Sequence, residues 1–286
     1  MREYGTILHG EKLVMNNLKI TLLVDNVAAG NCLGEHGFSL WIEHANKKIL
    51  FDTGQGNVIK HNADQLSIDL ETADAIVLSH GHYDHTGGMC KIKKIKKIPI
   101  FTHRDSLLTK YSRHSDGSIH KIVMKSIDSN GLNYKFNDQP IEIHKGFHLT
   151  GSIPRITNFE DTGGQFFSDE ECRKIDNLID DQAAFIETPA GLVVILGCAH
   201  SGVINTLQYI SKLSGSRSIH TVLGGMHLRY ATKNRINKTI SELKKFNIQN
   251  LYPAHCSGFY ATAQLCYEFP EVCKACRVGT IIEVNV

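Results

Sequence analysis

The sequence predicts a layered α/β fold, with β-sheets covered by helices in one large domain spanning residues 1–286. Three observations carry this. The first part of the chain is mostly strand-like, and helical patterns are interspersed only later. Ala75-Ile76-Val77-Leu78 is a short continuous apolar run, the mark of a strand buried on both faces. No internal repeat or low-complexity linker divides the chain.

The elements follow in order. Leu18, Ile20, Leu22 and Val24 alternate as a half-buried strand does, and so do Phe38, Leu40 and Ile42. A third strand runs from Lys48 to Phe51, and Ala45-Asn46-Lys47 forms the hairpin-like turn before it. A helix is expected from Thr86 to Lys97. Met89, Ile92 and Ile95 recur there at helical spacing and leave the lysines of Lys91–Lys97 on the opposite face. A solvated face is the favoured reading of those lysines, and attraction of an anionic substrate is the sharper one. Further strands are expected near Pro99–Thr102, Ile141–His144, Ala183–Glu187, Leu192–Leu196, Thr221–Leu223, Asn250–Tyr252 and Val278–Val284. Helices are expected over Val203–Leu213, Lys233–Phe246 and Ala261–Tyr267. The stretch Ser112–Asp180 is the least periodic and reads as long loops, a candidate lid.

Composition narrows the function. The chain has 286 residues, 42% hydrophobic and 21% charged, enough for a large core without disulfides. A formal net charge of +2 and the lack of an RNA-binding module argue against nucleic acid as partner. No stretch approaches the ~20 apolar residues that cross a bilayer. Met1 to Met15 lacks the pattern of a signal peptide. A cytoplasmic location is the expectation, with the eight cysteines as thiols or ligands. Sixteen histidines invite a search for metal spacing.

Metal-ligand spacing stands out at His80-Gly81-His82-Tyr83-Asp84-His85. Four ligand types fall within six positions, directly after the buried strand. In an extended loop His80 and His82 project to the same side and reach one metal. Asp84 and His85 follow the turn of the chain and face a second. Gly87 and Gly88 permit tight backbone at the helix entrance. Imidazoles with a carboxylate suit zinc, and also iron or manganese.

The segment matches the His-x-His-x-Asp-His signature and so resembles the metallo-β-lactamase superfamily. Phe51-Asp52-Thr53-Gly54 resembles the strand-end motif that precedes it there. Glu35-His36-Gly37-Phe38-Ser39, Asp180-Asp181-Gln182-Ala183, Gly197-Cys198-Ala199-His200-Ser201-Gly202, Gly224-Gly225-Met226-His227-Leu228 and Tyr252-Pro253-Ala254-His255-Cys256 resemble one branch. That branch is the dihydropterin–ribofuranosylaminobenzene-phosphate synthase-like proteins. The resemblance implies an αβ/βα sandwich of two mixed sheets flanked by helices, with one or two metal ions at one edge. It implies His80 and His82 on the first metal, Asp84 and His85 on the second, and His255 as the last ligand. Asp52 would buttress the loop by hydrogen bonding behind the ligands.

The chain departs from the pattern in two places. The strand Leu192–Leu196 ends in Gly197-Cys198, so Cys198 or His200 stands where a bridging Asp is usual, with His200 the stronger ligand candidate. The superfamily's middle histidine has no match, and Asp180 or Asp181 sits near its place. His227 reads as lining the site, or else as a capping or packing histidine. Arg155, in Gly151-Ser152-Ile153-Pro154-Arg155, is a candidate phosphate grip. The C-terminal Cys266, Cys273 and Cys276, with Cys256 upstream, read as buried thiols, a structural or redox site being the alternative.

The expected activity is a metal-dependent hydrolase or phosphate-releasing transferase. It acts through metal-activated water on a small phosphate- or ester-bearing metabolite, pterin-related if the branch is followed. Asp84 and His227 are the candidate catalytic residues. Two alternatives stand beside it: an iron-containing redox protein on the same fold, and a non-catalytic metabolite sensor.

Overall fold

The hairpin turn shows how local sequence sets the first sheet. Ala45 and Asn46 both adopt left-handed φ, 50° and 61°, the conformation that matches the twist of a tight antiparallel pair. The computed structural model describes residues 18–123 and 131–284, so the reading of Met1 to Met15 lies outside the described residues.

The chain runs β1 (Leu18–Val24), β2 (Ser39–His44), β3 (Lys47–Phe51), helix α1 (Ile59–Gln65), β4 (Ala75–Val77), the one-turn helix α2 (Tyr83–Thr86), β5 (Pro99–Thr102), β6 (Tyr111–Arg113), β7 (Ile119–Lys121) and β8 (Asn133–Phe136). It continues through β9 (Ile141–His144), β10 (Phe147–Leu149), β11 (Gln165–Phe167), β12 (Ala184–Thr188), β13 (Gly191–Leu196), α3 (Val203–Leu213), β14 (Ile219–Gly225), α4 (Lys233–Leu243), β15 (Asn250–Ala254), α5 (Phe259–Glu268) and β16 (Ile281–Val284). One sheet has the order β16-β1-β2-β3-β4-β5-β8 and a second the order β15-β14-β13-β12-β10-β9. Both are mixed: β3, β4, β5 and β8 pair in parallel, as do β13, β14 and β15, and the remaining pairs are antiparallel.

Burial explains the layering. Ile20, Leu40, Phe51 and Val77 of the first sheet meet Phe147, Ile186, Val193 and Leu223 of the second in one shared core. The outer face of the first sheet, with Trp41, Leu50 and Ile76, packs on Ile59 and Ala63 of α1 and on Met89 and Ile92. The outer face of the second, with Val194, Leu196 and Val222, packs on Val203 and Leu207 of α3, Ile236 and Ile240 of α4 and Leu265 of α5. The result is the four-layer αβ/βα sandwich. Each central strand is covered on both sides, which is why β13 is buried along its whole length.

Two expectations are corrected. In place of the helix expected from Thr86 to Lys97, α2 ends at Thr86 and only 3₁₀ turns follow, at Gly87–Lys91 and Ile95–Lys97. Gly87 and Gly88 press against Gln55 and Thr53 so closely that a Cβ on either would overlap a carbonyl oxygen. The Glu71 carboxylate then accepts from the backbone N–H groups of Lys93 and Lys94, both at 2.8 Å, which diverts them from a helical ladder. Ile92 and Ile95 stay buried and the lysines exposed, as the spacing required. The second correction concerns Ser112–Asp180, which is not all loop. Its strands are three or four residues long, too short to show alternation, and β11, β6 and β7 form a separate three-stranded sheet.

His44 ends β2 in a buried position, its ring 5.2 Å from that of His144 and its Nδ1 without a hydrogen-bond partner. Burial, reinforced by His144, lowers its pKa to about 4. The unfolded chain binds this proton near pH 6.5 and the folded chain only near 4. The stability His44 contributes is therefore complete above pH 6.5 and drains away as pH falls toward 4. At pH 5 the loss is about 2 kcal/mol. Urea unfolding should show His44→Leu losing about 2 kcal/mol less than wild type between pH 8 and pH 5, and equal losses would reject this account.

Candidate metal centre

The strand C-termini of both sheets meet at one edge. β3 delivers Asp52 and β4, its parallel neighbour, delivers Ser79 and His80. From the other sheet β13 delivers Cys198 and His200, β14 delivers His227, and β15 delivers His255. At Asp52, Ala199, His227 and His255 the backbone turns through left-handed φ of 55°, 54°, 45° and 49°. Such conformations cost non-glycine residues of order 1 kcal/mol or more and persist only where the surroundings enforce them.

Asp52 is fully buried and accepts three hydrogen bonds. Oδ1 accepts from Ser79 N at 2.7 Å, and Oδ2 from Ser79 Oγ and from His85 Nδ1, each at 2.7 Å. With its Nδ1 so committed, His85 turns Nε2 to within 3.2 Å of Cys198 Sγ and 3.6 Å of Asp84 Oδ2. Ser79 Oγ spends its proton on Asp52, so it accepts from His80 Nδ1 at 2.9 Å and leaves His80 Nε2 with a free lone pair. His80 Nε2 lies 3.0 Å from His82 Nδ1. His200 Nδ1 donates to the Thr162 carbonyl at 2.8 Å, which again frees Nε2.

Around Cys198 the donors converge in two groups: His80, Cys198 and His200, and His85, Cys198 and His255, with ligand atoms within 4.8 Å of one another in each. Cys198 belongs to both. Asp84 Oδ2 lies 3.3 Å from His255 Nε2. The buried Nε2 atoms of His82 and His200 have no hydrogen-bond partner. Buried polar atoms are rarely left so, and two on rings 4.9 Å apart mark a missing partner. Bonds of 2.0–2.3 Å in a tetrahedral site put ligand atoms about 3.3–3.8 Å apart, close to the separations seen here. A divalent ion fits these residues.

Electrostatics agrees with that fit. Burial lowers the pKa of His82 and of His227 to about 3, and those of His80 and His200 well below the ordinary value, so these rings are neutral, the ligand form. For His85 burial works in the same direction but is outweighed by Asp52 and Asp84, which push it up to about 9. Burial works against charge on Asp84 too, and His85 and His255 override it to hold the carboxyl ionised. Burial raises the Cys198 thiol. His85 therefore carries the positive charge of the site, in contact with Asp52 and Asp84.

Other expected residues take different places. His227 sits beside His200, ring centroids 4.3 Å apart, outside both ligand groups and held by Gly163, where a Cβ would lie 2.7 Å from its Cγ. Arg155 does not enter the site. Its guanidinium donates to the carbonyls of His200 and Asn177, both at 2.6 Å, so the expected phosphate grip is corrected to a brace beneath the His200 loop. Asp180 accepts from Gly81 N at 2.8 Å and pairs with buried Lys110 at 3.0 Å, and Asp181 accepts from Ser201 N at 2.7 Å. Both fasten the histidine loops. His200 lies beside the histidine loop, its ring 4.8 Å from that of His80 and 4.9 Å from that of His82. Cys266 and Cys273 approach to 3.0 Å, yet among the described residues the C-terminal cysteines join no ligand group.

The donors open into a cleft of about 930 Å³, lined among others by His36, Asp84, Phe166, His200, His227 and Arg229. His36 stands in the Glu35–Ser39 motif, but no spacing assigned it a role. Phe166, from the segment read as loop, covers the rings of His82 and His200 at 5.3 and 5.1 Å.

Residues 33–157 match the family model described as the metallo-beta-lactamase superfamily. The chain is 32% identical over 286 residues to the 7,8-dihydropterin-6-methyl-4-(beta-D-ribofuranosyl)-aminobenzene-5'-phosphate synthase of Methanocaldococcus jannaschii, covering 94% of this chain and 97% of the relative. It is 34% identical over 252 residues to an uncharacterized protein of the same organism, covering 86% and 93%. Among solved structures it is similar to Tm1679, described as a metal-dependent hydrolase of the beta-lactamase superfamily, with a TM-score of 0.83, 29% identity and coverage of 94% and 100%. The four-layer sandwich, the convergence of strand ends and a relative matched along nearly its whole length together show that this chain belongs to the metallo-β-lactamase superfamily.

Proposed function

We propose that this chain is a metal-dependent enzyme that cleaves a phosphate- or ester-type bond of a small metabolite, as a hydrolase or phosphate-releasing transferase. One observation carries the reading: His80 and His200, and His85 and His255, converge on Cys198 in two groups of ligand atoms within 4.8 Å, beside an open cleft that Asp84 also lines. The relative named as a dihydropterin phosphate synthase supports a flat pterin-like ring as part of the substrate. Phe166, Tyr83 and Tyr230 along the cleft suit such a ring.

His80, His82 and His200 would hold one ion, and Asp84, His85 and His255 a second, with Cys198 shared. Imidazole and thiolate together favour zinc, with iron next, and the thiol disfavours manganese. When bound, such an ion lowers the pKa of water from 15.7 to about 7 and stabilises developing negative charge. Asp84 holds its carboxylate at the cleft floor and orients the attacking water. His227, neutral and pinned by Gly163, offers a ring nitrogen to the substrate. Arg229 supplies positive charge for a phosphate at the rim. Phe166 shields the imidazoles from bulk water. The free cysteines suit a reducing cytoplasm.

Cys198 keeps the iron redox reading as the second candidate, and metal analysis of protein purified without added metal separates the two. Zinc in a colourless protein that cleaves phosphodiesters supports the hydrolytic reading, whereas bound iron with visible absorption overturns it.

His82→Ala should lower metal content and reduce phosphodiester cleavage at least about 100-fold, more than is usual for removing a mere partner of a ligand. Wild-type activity in metal-depleted His82→Ala would end the metal mechanism. Cobalt-substituted protein should show thiolate charge-transfer absorption that Cys198→Asp abolishes while cobalt stays bound. A spectrum unchanged by that substitution would remove Cys198 from the ligand set. Because His85 titrates near 9 and Cys198 higher, both lose protons on ligation, and metal affinity must fall as pH falls. Zinc calorimetry at pH 7 in buffers of different ionisation enthalpy should therefore report release of at least about one proton, and zero release would contradict ligation by these two.

A further inference from the structure

Asn26 touches two imidazoles with the two ends of one amide. Its Oδ1 accepts from the backbone N–H of Gly37 at 3.4 Å and lies 2.8 Å from His255 Nδ1. Its Nδ2 lies 3.4 Å from His36 Nδ1. An amide oxygen only accepts and an amide nitrogen only donates. His255 therefore carries its hydrogen on Nδ1 and presents a bare Nε2. His36 must accept at Nδ1, so its hydrogen sits on Nε2.

The two rings lie 5.1 Å apart and approach the same atom, Asp84 Oδ2, His255 at 3.3 Å and His36 at 3.2 Å. One ring is in the form that ligates, the other in the form that donates. The three residues His36, Asp84 and His255 also have the spacing of a metal triad. The hydrogen on Nε2 removes His36 from that triad.

The loop carrying His36 is built to hold it. Glu35 accepts from the backbone N–H groups of Gln55, Gly56 and Asn57 at 3.0, 3.2 and 3.0 Å. Gln55 Nε2 donates to the His36 carbonyl at 2.7 Å, and Phe38 N donates to the Asp84 carbonyl at 3.2 Å. A Cβ on Gly37 would come within 2.7 Å of that same carbonyl oxygen. The ring is nevertheless 45% exposed and lines the cleft.

We propose that His36 is a further substrate-binding residue, a neutral imidazole whose Nε2–H donates a hydrogen bond to a phosphoryl oxygen in the cleft, with Asn26 setting its tautomer. This rests on the phosphate-directed reading above. With Asp84 engaged by an ion, the Nε2–H is left to face the substrate. A neutral imidazole suits this task, because it polarises an oxygen without drawing a proton-bearing cation into the metal site.

The test uses metal-loaded full-length protein and inorganic phosphate as probe. His36→Ala should weaken phosphate binding about 10-fold, the size of one hydrogen bond to a charged acceptor, and His36→Gln, which keeps a donor, by no more than about 3-fold. Metal content should be unchanged in both. Nitrogen-15 spectra should show the His36 hydrogen on Nε2, assigned by the signals lost in His36→Gln. Loss of metal in His36→Ala would make His36 a ligand and overturn the proposal. Equal phosphate affinity in all three proteins, or a hydrogen on Nδ1, would overturn it as well. Metal and phosphate still bound in His82→Ala would instead count against the metal reading while leaving the His36 comparison intact.

Discussion

One buried carboxylate sets the geometry of the centre. Asp52 ties the end of β3 to the start of the histidine loop through Ser79, and it turns His85 toward Cys198. Its hold reaches His80 as well, because Ser79 Oγ has its proton engaged and can only accept. The tautomer of His80 and the orientation of His85 are thus decided by a residue that touches neither the cleft nor solvent. With no solvent exposure the carboxylate would be costly to bury unpaired, and its three donors offset that cost.

The same logic recurs around the cleft. Thr162 decides the tautomer of His200 and Asn26 that of His255, so three neighbouring rings aim Nε2 inward, each by a separate hydrogen bond to Nδ1. Behind them Arg155, Asp180 and Asp181 bind the backbone of the histidine loops. Glu160 does the same for α3, accepting from Ile204 N and Asn205 N at 2.9 Å each. Charged side chains around this site therefore spend much of their bonding on loop geometry, and left-handed turns at four strand ends are sustained by that effort.

How much of this was legible depended on distance along the chain. The histidine loop could be read directly, because its donors are consecutive and follow a recognisably buried strand. α3 and most strands were legible for the same local reason. The break at Gly87-Gly88 was not, because the contacts that forbid a regular helix come from Thr53 and Gln55. Arg155 looked like a phosphate ligand, since its partners are carbonyls 22 and 45 residues away that no motif announces. Asn26 lies 229 residues from His255, and its two-ended contact emerges only once β1 and β15 are folded. His36 was visible as part of a motif, but its relation to Asp84 required the loop's packing.

The ligand groups draw on both sheets: His80 and His85 follow β4 of one, while Cys198, His200 and His255 follow β13 and β15 of the other. An ion held there is a cross-link between the two halves of the sandwich, joined at the edge where their shared core stops. Ligand that binds only the folded chain adds about 2.7 kcal/mol at one hundred times its dissociation constant. The fold would then draw part of its resistance to unfolding from the metal supply of the cell, and starvation for the ion would loosen the seam between the sheets.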